Sequence, residues 1–446
     1  MFDLIFKNVC CFLPKPQDSN QVVEEELDLG IKNGRIAQIG SLYKAKTKKE
    51  ISFKGLHVLP GLIDTQVHFR EPGLEYKEDI YHGSLSAIKG GITAFFEMPN
   101  TFPPTATIKD IEDKIERAEK KSWCDFAFYL GAVKENKNQL VEWEGTRACP
   151  GVKIFLGHST GNLVLEDEES LRAVFKNRKR ITAIHSEDES RLRERRDLAY
   201  RKPLHARNHP LWRDAKTCLI STQRVVSLAR KYKVPIHILH VTTWQEIEFL
   251  SQHKDLVSVE VTPQHLSLSA PECYDTYGSL VQMNPPIRDK KHQEALWKGI
   301  QSGVVDIIGS DHAPHTWEEK EKAYPDSPSG MPGVQTLLPL LLNHVNQGRL
   351  DLKRLVQLLA HNPSQRFGLK DQGQIKESYK ANFTVIDLKR KQKIERKWLA
   401  SKCAWSPFEG WEVKGWPVFT FLNGEKVMEE SEVLGKPKGQ RIEFNK

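Results

Sequence analysis

The stretch LPGLIDTQVHFREPG, Leu59 to Gly73, is an apolar run that ends in polar side chains. Read as a strand, its period of two puts Asp64, Gln66, His68 and Arg70 on one face at the strand end. A carboxylate, an imidazole and a guanidinium together suit a metal and an anion. Gln66 stands where a second imidazole would serve a metal better.

Seven further runs of the same kind follow: ITAFFEMPN, DFAFYLGAV, GVKIFLGHST, ITAIHSED, PIHILHVTT, VSVEVTPQH and VDIIGSDHAPH. Helical patterns lie between most of them, over residues 217–233 and 292–303 for example. Near-continuous apolar runs alternating with helices indicate parallel strands buried on both faces. Eight such units predict an α/β fold closed as a (β/α)8 TIM-type barrel. Polar residues gather at the C-terminal end of the runs: His68 and Arg70, Asn100, Lys153, His185, His240, His265, and Asp311 with His315. Active sites of such barrels form at that end.

The chain ends read differently. Residues 1–56 carry the hairpin signal LGIKNGRIAQIG, with Asn33-Gly34 at the turn. Residues 370–446 carry NFTVIDL and TFLNGEKVM, with Asn423-Gly424 at another turn. The expectation is a barrel over 57–369 flanked by a small β-sandwich domain built from both termini, 1–56 and 370–446.

The length of 446 residues accommodates that arrangement. No apolar run reaches 18 residues, and the N-terminus lacks a basic leader and a cleavage site, so a cytoplasmic enzyme without membrane contact is expected. The net charge of +8 is spread among mixed charges. The basic stretches 176–180 and 191–202 read as solvated helix faces, without the interleaved aromatics of a nucleic-acid platform. The seven cysteines are odd in number and include no Cys-x-x-Cys, so neither a disulfide framework nor a structural zinc site is implied.

As chemistry, His68, His185, His240 and Asp311 form a set suited to zinc or a similar divalent ion. A lone buried histidine is ordinarily structural, but four such groups at one barrel rim favour a metal. Lys153 lies within an apolar run, where its charge is costly. It is either paired with a carboxylate or converted to an anion by carbon dioxide. GHSTG (157–161) fits the serine-hydrolase elbow pattern, without an acid and histidine in the right context. His265 reads as structural, and His205 and His209 as solvent-facing in a loop able to cover the site.

The chain resembles the amidohydrolase superfamily and, within it, the dihydroorotases, over nearly its whole length. The matching segments include DTQVHFREPG, EMPNT, KIFLGHSTGN, IHSED, LHVTT, MNPPIRD, GSDHAPH, SGMPGVQTLLPLLL and WSPFEG. The resemblance implies His68, a Lys153 carbamate, His185, His240 and Asp311 as metal ligands, with Asp311 also the catalytic base. It implies a substrate shell of Arg70, Asn100, Asn284, His315, Ser329 and Gly330. The implied substrates are dihydroorotate and N-carbamoyl-aspartate, and the implied assembly is a homodimer able to associate with aspartate transcarbamoylase. Relatives mostly carry His-x-His on the first strand where this chain has Gln66-x-His68. The expectation is therefore one tightly bound zinc and a second that is weak or absent. Two other readings stand beside this one: a hydantoinase-, dihydropyrimidinase- or allantoinase-like cyclic amidohydrolase, and a non-catalytic scaffold for aspartate transcarbamoylase.

Overall fold

The computed structural model describes residues 1–15, 18–158, 163–176 and 178–445. Ser159, Thr160 and Gly161 of the GHSTG segment lie outside them.

Eight parallel strands form the barrel. They are Leu62–Val67, Ile92–Glu97, Asp125–Phe128 continuing as Leu130–Gly131, Val152–Phe155, Thr182–His185, Ile236–Ile238, Val257–Val261 and Ile307–Ile308. A parallel bridge between Val67 and His312 joins the first strand to the segment after the eighth. Each strand corresponds to one of the eight apolar runs. The runs are continuously apolar because helices cover the outer face while side chains fill the interior. Ile63, Phe96, Ala127, Ala183 and Ile307 share one packed cluster, and Ile92, Val152, Ile154 and Ile238 share another. Full burial of each large aliphatic side chain contributes about 1.5–3 kcal/mol.

The helix expected at 217–233 runs Ala215–Tyr232. It starts early because the Asp214 side chain accepts the Thr217 N–H, a strong N-cap. The helix expected at 292–303 runs Lys290–Gln301 for the same reason, with Asp289 as the cap.

The termini build one nine-stranded, mostly antiparallel sheet around its own core, where Phe6 meets Phe53, Phe383 and Phe421 edge-on. Both Asn-Gly turns have positive φ at both residues, as a two-residue hairpin needs. Two details differ from the sequence reading. His57–Pro60 pairs with Cys10–Cys11 and with Phe383–Ile386, so it belongs to the terminal sheet and not to the first barrel strand. The chain passes between sheets at Gly61, where a Cβ would lie 2.6 Å from Thr93 Oγ1. The end of the chain returns to the barrel: Ile442 N donates to Phe126 O, and Phe444 packs on Phe96. All seven cysteines are free, and no helix among the described residues is long and apolar enough to cross a membrane.

Candidate active site

A cavity at the C-terminal end of the barrel is lined by Gln66, His68, Arg70, Asn100, Lys153, Phe155, His185, His240, Met283, Asn284, Asp311, Ala313, Ser329 and Gly330. Residues from six strands, far apart in sequence, thus meet at one point. Arg70, His240 and Asp311 have φ of 65°, 35° and 45°. Such conformations cost non-glycine residues about 1–3 kcal/mol and collect where side chains must be aimed. Gly330 has φ 134°, and a Cβ there would lie 2.5 Å from Ala313 O. Two sequence candidates stand outside the lining. Asp64 lies beneath it, accepting the Ser310 N–H, and His315 lies behind Arg70, with Nε2 3.4 Å from Arg70 Nη2.

The hydrogen-bond partners assign a tautomer to His68 and to His185. His68 Nδ1 donates to Asn100 Oδ1 at 2.7 Å, so His68 Nε2 presents a lone pair. That lone pair faces Asp311 Oδ1 at 3.2 Å. Two acceptors confront each other there, an arrangement that a cation between them relieves. His185 Nε2 donates to Glu187 Oε2 at 3.0 Å, leaving the Nδ1 lone pair 3.1 Å from His240 Nε2. Burial pushes all three imidazoles below the usual histidine range, toward the neutral form that ligates metals. His240 Nδ1 and Gln66 Oε1 are buried without hydrogen-bond partners among the described residues. This donor set fits a divalent cation.

Lys153 is 1% exposed; its Nζ makes no hydrogen bond or ion pair among the described residues and lies 4.4 Å from the centre of the Phe155 ring. Burial lowers its pKa to about 7, against the pull of Asp311 and Glu260. Of the two sequence readings, the lysine–carboxylate pair is therefore absent. Gln66 does not merely fill the place of a histidine: its Nε2 donates to Asp311 Oδ1 at 3.0 Å.

Arg70 is also 1% exposed. Its Nε donates to Pro314 O at 3.1 Å, and it has no salt bridge among the described residues. A buried guanidinium without a counter-anion is costly, and this one borders the cavity.

The amidohydrolase family model matches residues 57–427. The dihydroorotase of Pyrococcus furiosus is 37% identical over 418 residues, covering 93% of this chain and 92% of that protein. The dihydroorotase of Methanothermobacter thermautotrophicus is 35% identical, covering 97% and 96%.

The chain belongs to the amidohydrolase family.

Members of this family are metal-dependent, in keeping with the donor set. Among solved structures, the L-hydantoinase of Arthrobacter aurescens superposes with a TM-score of 0.92 at 27% identity, covering 98% of each chain. The resemblance drawn from the sequence and the barrel fold both hold.

Several supporting residues of this amidohydrolase site escaped the sequence reading. Glu187 holds His185 and is itself held by Arg213, with Nη2 at 2.5 Å. The Arg213 guanidinium, together with the hydrogen bond from His185, keeps the Glu187 carboxyl far below its usual range despite complete burial. Carboxylate–histidine pairs of this type fix the tautomer and raise the basicity of a ligand. The IHSED run carried the signal, since Glu187 follows His185 by two residues. His209 is not solvent-facing. It is 1% exposed, and its Nε2 donates to Asn284 Oδ1 at 2.8 Å, so its loop does reach the site. His265 bridges Thr262 Oγ1 and Pro285 O, a structural role.

Proposed function

We propose that the chain is a dihydroorotase, interconverting (S)-dihydroorotate and N-carbamoyl-L-aspartate in pyrimidine synthesis. The unpaired Arg70 guanidinium beside a set of metal donors carries the proposal. Dihydroorotate brings a ring amide to cleave and a carboxylate to pair with Arg70. The named relatives support the same reading.

In this reading the barrel, from Gly61 to residue 369, is the catalytic unit, flanked by the sheet of both termini, to which His57–Pro60 belongs. His185, His240 and a Lys153 carbamate would hold one zinc ion. A second ion would fall to His68 and Asp311, weakly or not at all. A divalent metal, when bound there, would supply a more acidic water, its pKa brought toward about 7, and a polarised ring carbonyl. Asp311 takes the proton of the attacking water and passes it to the leaving ring nitrogen. Gln66 steadies the Asp311 carboxylate during that transfer. Arg70 binds the substrate carboxylate with parallel hydrogen bonds, and Asn100, Asn284 and the Ser329–Gly330 backbone complete the shell. His315 contributes from behind Arg70. A cytoplasmic homodimer able to associate with aspartate transcarbamoylase completes the proposal, and sedimentation with and without that enzyme tests it.

The likeness to the L-hydantoinase favours a second reading, a hydantoinase- or dihydropyrimidinase-like activity. An uncharged ring leaves Arg70 unpaired in a closed site, a penalty that argues against it. A scaffold without catalysis is disfavoured because Lys153, His185, His240 and Asp311 all remain at the cavity. Turnover of dihydroorotate, dihydrouracil and hydantoin by metal-replete protein decides among the three, and absence of dihydroorotate turnover removes the proposal.

Two expected outcomes concern the ligands. Protein equilibrated with 13C-bicarbonate shows a carbamate carbon resonance that Lys153→Ala lacks. The same signal in the mutant excludes Lys153 as its bearer. Gln66→His raises the metal retained after dialysis against a mild chelator from about one toward about two per chain, since zinc prefers imidazole to amide. Two equivalents held equally firmly by the unmutated chain would show that Gln66 is no handicap.

A further inference from the structure

We propose that Lys77, anchored by Glu319, fixes the tautomer of His315 and so keeps the terminal amines of Arg70 open to the substrate carboxylate. The role of Lys77 rests on the dihydroorotase reading. The tautomer itself does not.

His315 is 1% exposed and sits between two cationic side chains. Lys77 Nζ lies 3.1 Å from its Nδ1, and Arg70 Nη2 lies 3.4 Å from its Nε2. Ammonium and guanidinium groups only donate, whereas a neutral imidazole has one acceptor nitrogen. The ring therefore satisfies one cation and not both.

The two arrangements can be compared by their contacts. With the proton on Nε2, Lys77 donates to Nδ1 at 3.1 Å and Nε2 donates to Ser329 O at 3.1 Å. With the proton on Nδ1, the ring donates to Glu319 Oε2 at 3.4 Å and accepts from Arg70 at 3.4 Å. The first set is shorter at both ends. Glu319 is also already engaged: Oε1 pairs with Lys77 at 2.9 Å and Oε2 accepts the Thr316 N–H at 3.1 Å. Burial and the flanking cations hold the ring neutral, its pKa pushed down to about 3, so the choice lies between the two neutral tautomers.

The consequence falls on Arg70. An acceptor at His315 Nε2 would draw Nη2 away from the cavity. A proton there denies it that partner, while Pro314 O still pins Nε. The guanidinium is left fixed at one edge and unsatisfied at the other. Lys77 is thus a positioning residue, acting through His315 without touching substrate. His315 Nε2–H simultaneously anchors the Ser329 carbonyl, next to Gly330 in the cavity wall.

The test uses metal-replete full-length protein with 15N-labelled histidine, the His315 resonances being assigned by their loss in His315→Asn. The expected wild-type tautomer carries its proton on Nε2. Lys77→Met shifts it to Nδ1, raises KM for dihydroorotate about tenfold, as loss of one charge-assisted hydrogen bond does, and leaves kcat within about twofold. Lys77→Arg, a donor still, restores both the tautomer and KM. A wild-type proton on Nδ1 overturns the proposal whatever becomes of the variants. So does a Lys77→Met protein with a shifted tautomer and unchanged KM, or with an unshifted one. If the wild type fails to turn over dihydroorotate, the functional reading falls, while the tautomer measurement still judges the clamp.

Discussion

Replacing Asp311 by asparagine lowers kcat for dihydroorotate by about 100-fold or more, the usual worth of a positioned general base. The substitution keeps the shape of the side chain. An asparagine Oδ1 still accepts the Gln66 Nε2–H that Asp311 accepts at 3.0 Å. What vanishes is basicity, and with it the group that carries a proton from water to the ring nitrogen. Because Asp311 also faces His68 Nε2 at 3.2 Å, metal content must be measured on the same preparation. Lost turnover with metal retained identifies the proton carrier. Near-normal turnover with metal retained removes Asp311 from that role. The φ of 45° at Asp311 argues that the fold invests strain in aiming this side chain.

The barrel was legible because it is written in local patterns. Eight apolar runs with polar ends require no knowledge of what lies opposite them. The cavity residues His68, His185, His240 and Asp311 were legible for the same reason, each lying near the end of its own run, and Lys153 as a lysine inside one. What the sequence concealed depends on contacts between distant segments. Lys77 and Glu319 are 242 positions apart and read separately as charges on polar loops, yet they meet at 2.9 Å over His315. Arg213 belongs to a basic loop and gives no sign that Glu187 awaits it in the interior. His209 looked solvent-facing because its neighbours are polar, while its burial comes from Met283 and Asn284, brought in by another loop. The split at Gly61 was hidden because His57–Pro60 and Leu62–Val67 are both apolar strands, and pattern alone does not say which sheet a strand joins.

Arg70→Met is expected to lower kcat/KM for dihydroorotate by about 100-fold or more, since each hydrogen bond to a charged group is worth about 1.5–3 kcal/mol and the guanidinium offers two in parallel. Trace turnover of dihydrouracil, which has no carboxylate, should not fall with it. The two substrates differ at the group in question while sharing the ring amide, so the comparison separates recognition from chemistry. Thermal stability supplies an independent check. Arg70 is buried and lacks a salt bridge among the described residues, so the free protein bears the cost of its desolvated charge. Methionine fills similar space without that cost and gives up one hydrogen bond, to Pro314 O, worth about 0.5–1.5 kcal/mol to a neutral partner and somewhat more to a charged one. The melting temperature should therefore hold or rise. A residue kept for the fold behaves in the opposite way: its loss lowers the melting temperature and weakens both substrates alike. That outcome would return Arg70 to the scaffold and remove the main argument for an anionic substrate. A selective loss with undiminished stability would mean that the chain carries an unpaired charge in its interior because the substrate supplies the counter-ion.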